Sequence, residues 1–540
     1  MSKRILFLFL AAILLVGFGA AALAGGRQEA SVTELPAGPL LPWTGSEIVW
    51  SGFGADLGMV NDPSTPVYAE YLQGTGNARV EWETAPWGDY DTKLTLYMSS
   101  GDLPDIVWAR DSVTKAFELG DLGMFLDWNQ FLDRMPNVER YAEEYPHFNH
   151  VVTEDGERFA INDLANAEYI GEGWFYNPVV LERAGIPGPP ETMEEMIEQI
   201  KTIKERVPGV DGYLSYWGMG YVLNAFGSAM NVRPANVRQG IAYDTDRGEW
   251  IHHPTMNPDY RLLLEYLHEL YQADAFNPDA IAVGVEDERV NELLEAGNYA
   301  FIYWYYFELE NKWGEHGEEP PVVGMRPPSH RGHTYYHITV PHDAVGNWGY
   351  MSPRDVKMPE VLASYVDNIM SFESYMLFTW GIEGLTYDIG PDGAPRFLDT
   401  YDAAGRRDLG VGNFWDVRYI KFDDRYGNWF ASAMPPESAA HAPAVEDVRR
   451  LQRGEMVPIW NWSRPLMTPE QNAEIARIMT PINTFIEEEQ LKFITGARSM
   501  EEFDQFVAQI NRMGNLDRVL EYYNGGHQWL MGDRRYPRIP

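Results

Sequence analysis

The 540-residue sequence contains no cysteine. That excludes disulfides, thiolate nucleophiles and cysteine-held zinc or iron–sulfur centres. Lysine is scarce as well: nine of the 42 basic residues are lysine and 33 are arginine, against 80 acids, for a formal charge of −38. A surface of that sign repels nucleic acid and anionic lipid, so neither is expected as a partner. No apolar run after residue 24 is long enough to span a bilayer. There is no G-x-S-x-G, H-E-x-x-H or Walker A stretch, no internal repeat and no low-complexity block.

The one long apolar run comes first. Lys3-Arg4 precedes Ile5 to Ala24, which closes on Ala22-Leu23-Ala24. A basic start, a hydrophobic middle and an A-x-A site describe a secretory signal peptide, with a retained anchor as the alternative reading of the same 20 residues. Cleavage after Ala24 would take the charge to −40 (−38 − 2) by removing Lys3 and Arg4. Residues 25–46, with Pro36, Pro39 and Pro42, read as a flexible leader. The remaining length suits two lobes better than one core.

The stretch from Val80 to Ile106 sets the fold class. Val80-Glu81-Trp82-Glu83 alternates as a half-wet strand does, and Tyr90, Leu94 and Tyr97 then recur on one face of a helix. Ser99-Ser100-Gly101 ends that helix, and Ile106-Val107 begins another strand. This is a β-α-β unit of a parallel, helix-covered sheet. Farther on, Thr192 and Glu195 form a capping box ahead of a helix, and Pro359 opens another at its first turn.

The helix ending "SGDLPDI" resembles the first lobe of family 1 extracellular solute-binding proteins, the receptors of ABC importers. Further matches follow in order: "WFYN" with "LERAGIP", the strand Asn298–Ile302, "GIEG" at Gly381–Gly384 with Tyr387, and "KFITG" at Lys492–Gly496. The resemblance covers most of Glu47 to Tyr523. It implies an α/β, two-lobe periplasmic binding protein fold, type II-like, whose discontinuous lobes are joined by hinge segments. The expected division is a signal peptide 1–24, the leader 25–46, lobe 1 from 47 to 162, and lobe 2 from 163 to 334. Lobe 1 would then return over 335–384, with 385–540 completing lobe 2. Without the lipid-attachment cysteine many relatives carry, the chain would be periplasmic or extracellular, a monomer, with no cofactor and no catalysis. Its partners would be a carbohydrate ligand and the permease subunits of an inner-membrane ABC transporter.

Aromatic residues make up 14% of the chain, with 18 Trp and 31 Tyr. A sugar ring offers an apolar C–H face on which Trp and Tyr stack, and a hydroxyl rim that acids hydrogen-bond. Aromatics paired with nearby acids are therefore the candidate ligand-binding residues: Phe53 with Asp56, Trp87 with Asp89, Asp105 with Trp108, Trp304 beside Glu308, and Trp380 with Glu383. Trp174, Tyr176, Trp217 and Trp348 complete the set. Each has a plainer reading as core packing, and Asp105 as a backbone lock.

Two metal readings are weaker. His330, His333 and His337 have ligand-like spacing but fall in a β-rich stretch. Asp244-Thr245-Asp246-Arg247-Gly248 opens like a calcium loop but lacks its terminal Glu, and reads better as a hairpin turn. An exported carbohydrate-active enzyme, or a sugar-sensing subunit for a membrane histidine kinase, would share most of these features.

Overall fold

The fold rests on two sheets; the alternating stretch Val80–Glu83 falls in the first, and Tyr299–Ile302 in the second. It was obtained as a computed structural model. The structure describes residues 35–55, 64–144, 146–153, 156–165, 172–215, 218–233, 240–244, 247–277, 288–305, 321–338, 344–391, 393–401, 403–411, 457–460 and 467–531. Residues 38–540 form one contact unit, distinct from 1–37.

The first lobe begins with β1 (Trp43–Ala55), α1 (Pro66–Thr75), β2 (Gly76–Ala85) and α2 (Trp87–Ser100). Then come β3 (Ile106–Arg110), α3 (Ser112–Leu119), α4 (Pro136–Glu144) and β4 (Ile161–Ala165). Its sheet has the order β2-β1-β3, then a late strand, then β4, and β1, β2 and β3 run parallel. The strand β12 (Ala344–Met351), far later in the chain, enters antiparallel between β3 and β4. The α2 helix buries Tyr90 and Leu94 against the sheet, as its spacing predicts. Gly52 on β1 is required by close packing, since a Cβ there would lie 2.5 Å from Val80 Cγ1 and 2.7 Å from the Trp82 ring.

After β4, β5 (Glu172–Tyr176) already belongs to the second sheet, so the chain changes lobe between Ala165 and Glu172. The elements α5 (Pro178–Ala184), α6 (Met193–Arg206), β6 (Asp211–Leu214) and α7 (Gly218–Ala229) follow. The chain goes on through the hairpin β7 (Ile241–Asp244) and β8 (Glu249–His252), α8 (His253–Met256), α9 (Asp259–Gln272), α10 (Glu288–Ala296), β9 (Tyr299–Tyr305) and β10 (Val323–Met325). The second sheet is ordered β10-β5-β9-β6. Thr192 caps α6 by accepting from Glu195 N–H at 3.1 Å, while the Glu195 carboxylate reaches back to Glu191 N–H (2.8 Å) rather than to Thr192 itself.

β11 (Tyr335–Ile338) pairs with β15 (Val457–Trp460), and the return to the first sheet comes between Ile338 and Ala344. Next are α11 (Pro359–Ile369) and α12 (Phe372–Trp380), the hairpin β13 (Tyr387–Ile389) and β14 (Pro395–Phe397), and α13 (Ala403–Asp408). Trp50 and Tyr71 meet Tyr365 of α11 edge-on at 5.7 and 5.9 Å, and Val67 N–H donates to Leu409 C=O at 3.1 Å. Residues up to Val411 thus lie with the first lobe, so the change to lobe 2 comes later than Gly384. The closing helices α14 (Pro469–Thr495), α15 (Phe503–Met513) and α16 (Leu516–Met531) complete the second core. There Ile475, Ile482, Phe493 and Phe506 join Trp174, Leu263 and Phe301.

The leader needs correction too. Leu40 is buried and its N–H donates to Ser364 Oγ at 3.0 Å, while Arg134 Nη1 holds Gly38 C=O at 2.8 Å. From Gly38 on, the leader is a docked strap, because an apolar side chain in it finds a place on α11.

Candidate functional site

In open α/β sheets, ligands meet the carboxyl ends of parallel strands, at the point where strand order reverses. Here that point lies between β1 and β3. The same edge of the first sheet carries Ala55, the amino end of α2, Arg110 at the end of β3, and Trp348, which is paired with Arg110 across β12. In the second sheet, the edge facing the crossover carries Glu172, Leu214 and Tyr305. The amino end of α7 begins just beyond β6. The chain leaves the first edge at Ala165, enters the second sheet at Glu172 and rejoins the first edge at Ala344.

On the first lobe, the regular β12–β3 register makes Trp348 a diagonal neighbour of Trp108 on one face, with ring centroids 4.1 Å apart and planes 26° off parallel. Gly349 directly below is forced, because a Cβ would come within 2.8 Å of Ser112 Oγ. Phe53 stacks on Tyr90 at 5.4 Å, and Tyr90 in turn lies 5.4 Å from Trp348. The Tyr90 hydroxyl donates to Trp108 C=O (2.6 Å) and accepts from Arg110 N–H (3.2 Å). Burial raises its pKa, so it is a neutral phenol throughout the physiological range.

Charge gathers at the end of β3. Arg110 pairs with the Asp91 carboxylate and lies 4.0 Å from that of Asp111, and Lys115 Nζ donates to Arg110 C=O at 2.6 Å. Asp111 has φ 53° and ψ 32°, a left-handed backbone, and its side chain is half exposed. A non-glycine residue in that region costs on the order of 1–3 kcal/mol and is retained where the surroundings impose it, often at functional sites.

The second lobe places Trp174, Tyr303, Tyr221 and Trp304 together. Trp174 lies edge-on to Tyr303 at 5.3 Å, and Tyr221 is 5.9 Å from Tyr303 and 5.6 Å from Trp304.

The residues singled out in the sequence fare differently. Phe53, Trp108, Trp348, Trp174 and Trp304 stand at or near the two edges, but all are buried, none more than 6% exposed, and they cover one another. Asp89 is exposed in the first turn of α2, at the first-lobe edge; the Trp87 side chain, Asp56 and Trp217 lie outside the described residues. Asp105 sits at the opposite, amino end of β3. Its carboxylate accepts from Ser51 N–H (2.9 Å) and Ser51 Oγ (3.0 Å), locking β1 to β3 away from the edge that carries Arg110. Tyr176 is at the far end of β5, paired with Phe301 and Val323. Trp380 is wholly buried against Phe397 at 4.8 Å, and Glu383 is exposed in the turn after it. At or near the two edges also stand Tyr90, Arg110, Asp111, Tyr221 and Tyr303, none of which the sequence reading picked as ligand-binding. The rule of carboxyl strand ends, applied to β3, would have chosen Asp111 over Asp105.

The metal readings find little support. Asp244 and Glu249 are partners in the β7–β8 hairpin, with the Asp244 carboxylate accepting from Arg247 N–H at 3.0 Å. His330 is buried 3.3 Å from Asp259 and exchanges backbone hydrogen bonds with His333, while the His337 side chain lies outside the described residues. Among the described residues no three His, Cys, Asp or Glu side chains gather as a metal site, and no helix is long and apolar enough to cross a membrane.

The family model for bacterial extracellular solute-binding proteins matches residues 63–351, just over half of the chain and every strand of both sheets except β1. The chain belongs to this family. The melibiose/raffinose/stachyose-binding protein MelE of Bacillus subtilis (strain 168) is 23% identical over 221 residues, 40% of this chain. That match spans less than half, 46%, of the curated relative's length. Among solved structures, an alginate-binding protein crystallised without calcium ion superposes with a TM-score of 0.70 at 17% identity. It covers 90% of this chain and 99% of its own. A substrate-binding protein of an S. pneumoniae ABC transporter, in complex with kestose, gives 0.66 at 15% identity with the same coverage. These likenesses establish the two-lobe α/β solute-binding fold.

Proposed function

We propose that this protein is the substrate-binding component of an ABC importer, capturing an oligosaccharide between its lobes and presenting it to membrane permease subunits. The observation that carries the reading is the pair of aromatic-rich strand edges between which the chain passes from Ala165 to Glu172. Trp108, Trp348, Arg110 and Asp111 stand on one edge, and Trp174, Tyr303 and Tyr221 on the other. Trp87 and Asp89 join the first edge at the start of α2. Its family membership and the sugar ligands named for its relatives support the same reading.

A sugar held by both edges favours the closed arrangement, because only closure lets both lobes touch it at once. No group on either edge has to react, so the protein acts as a binder and not an enzyme. It works as a monomer outside the cytoplasm.

The test is a thermal-shift screen of the purified protein against mono- and oligosaccharides, with each hit sugar recovered and analysed afterwards. A ligand at a hundred times its Kd adds about 2.7 kcal/mol, a readily measured shift. A shift with one sugar class, recovered uncut, is the expected result. A sugar that shifts and is then cleaved would make the protein an enzyme, and no shift with any sugar would refute the carbohydrate assignment.

A further inference from the structure

β1 and β3 are paired only at Gly52–Ile106 and Phe53–Val107. Beyond that, Gly54 and Ala55 pair with β2 alone, while β3 runs on to Arg110 beside β12. A parallel neighbour would normally serve the carbonyl of Trp108 and the N–H of Arg110, which point to the same side of the strand. The Tyr90 hydroxyl serves both instead, donating at 2.6 Å and accepting at 3.2 Å. Its ring is stacked flat on Phe53, 3° from parallel, and the residue is 1% exposed. A side chain of α2 therefore stands where the next rung of the ladder would be.

We infer that Tyr90 is a positioning residue for ligand binding: its hydroxyl wedges β1 and β3 apart at the strand-order reversal and fixes the Trp108–Asp111 corner that meets the ligand. The inference rests on the proposed function for its ligand arm only. The rung holds Arg110 N–H, the next residue is Asp111 in its left-handed conformation, and the Trp108 ring under Trp348 springs from the other anchored peptide. Loss of the hydroxyl removes this partner from the buried Trp108 C=O and the half-buried Arg110 N–H, and the strand end loosens.

The test compares Tyr90→Phe with Tyr97→Phe in the full purified protein. Tyr97 is on the same helix and also packs on Phe53, at 5.0 Å, but its hydroxyl goes to Glu83, away from β3. Amide exchange is read on peptides spanning 106–112, and affinity by calorimetry with raffinose and kestose as probes. Tyr90→Phe is expected to speed exchange at 108–111 at least tenfold and to weaken sugar binding at least tenfold. Tyr97→Phe should leave both unchanged, even at an equal loss of thermal stability. Unchanged exchange in Tyr90→Phe would overturn the wedge, and faster exchange with unchanged affinity would overturn the positioning role. If the wild-type protein binds neither probe nor any other sugar in the screen, the carbohydrate function fails, and with it the ligand role of Tyr90. The exchange data would still decide the wedge.

Discussion

Asp367 offers the sharpest test of how the first lobe is held together. It lies on α11, 4% exposed, and reaches 230 residues back in the sequence to the amino end of α4. One oxygen accepts from Val138 N–H and the other from Asn137 Nδ2, both at 2.9 Å, so a distant carboxylate caps that helix. Burial outweighs these bonds and lifts its pKa from 3.8 to about 6. A carboxyl whose pKa is raised by folding stabilises the native state fully below its unfolded value, and that contribution is lost as pH rises through the folded value. The whole shift is worth about 3 kcal/mol, of which about 1.4 kcal/mol falls between pH 5 and 7.5. Asp367→Asn keeps an acceptor for Val138 and cannot ionise. Urea unfolding of both proteins across that range should therefore show the variant gaining about 1.4 kcal/mol on the wild type as pH rises. Asp367→Ala, which removes the cap, should lose about 1–2 kcal/mol even at pH 5. Parallel pH profiles for wild type and Asp367→Asn would refute the reasoning.

Three further outcomes are expected. Asp111→Gly relieves the left-handed backbone and should raise stability by about 0.5–1 kcal/mol while weakening sugar binding at least tenfold, measured by calorimetry; unchanged affinity would remove Asp111 from the site. Asp105→Ala should cost about 1 kcal/mol in urea unfolding, since its bonds to Ser51 are partly exposed, and leave affinity untouched. His252 and His253 carry the opposite sign to Asp367: burial drops both to about 3, so their contribution is present above the unfolded pKa near 6.5 and is lost as pH falls toward 3. His253→Gln, which can still accept from Asn257, should flatten the acid limb of the stability profile by up to about 1.4 kcal/mol per pH unit.

Local rules carried the sequence reading furthest where a feature is closed within a few residues. The Thr192 cap, the hairpin at Asp244 and the buried face of α2 are all set by neighbours three or four positions apart, so the pattern contains its own answer. Site residues are set by which end of a strand they occupy, and composition does not report that. Asp105 and Asp111 are six residues apart with the same side chain, yet β3 carries one to a structural lock and the other to the site edge. The tryptophans illustrate a second limit. Five of the aromatics chosen for sugar stacking are buried against one another, because in a chain this rich in aromatics the rings serve each other first. The late change of lobe after Val411 and the docking of Leu40 depend on contacts hundreds of residues apart, which no local pattern encodes.

The entry of β12 between β3 and β4 has a kinetic consequence. Trp108 finds its strand partner Tyr350 some 240 residues downstream, and Ile161 meets the same residue from the other side. Until that strand has emerged from the ribosome, β4 has no neighbour in its sheet and β3 lacks one of its two. Contacts of such sequence separation fold slowly, because a long loop must close before any bond rewards it. The first-lobe sheet therefore stays incomplete until β12 has been made, whereas every strand of the second sheet precedes it in the chain.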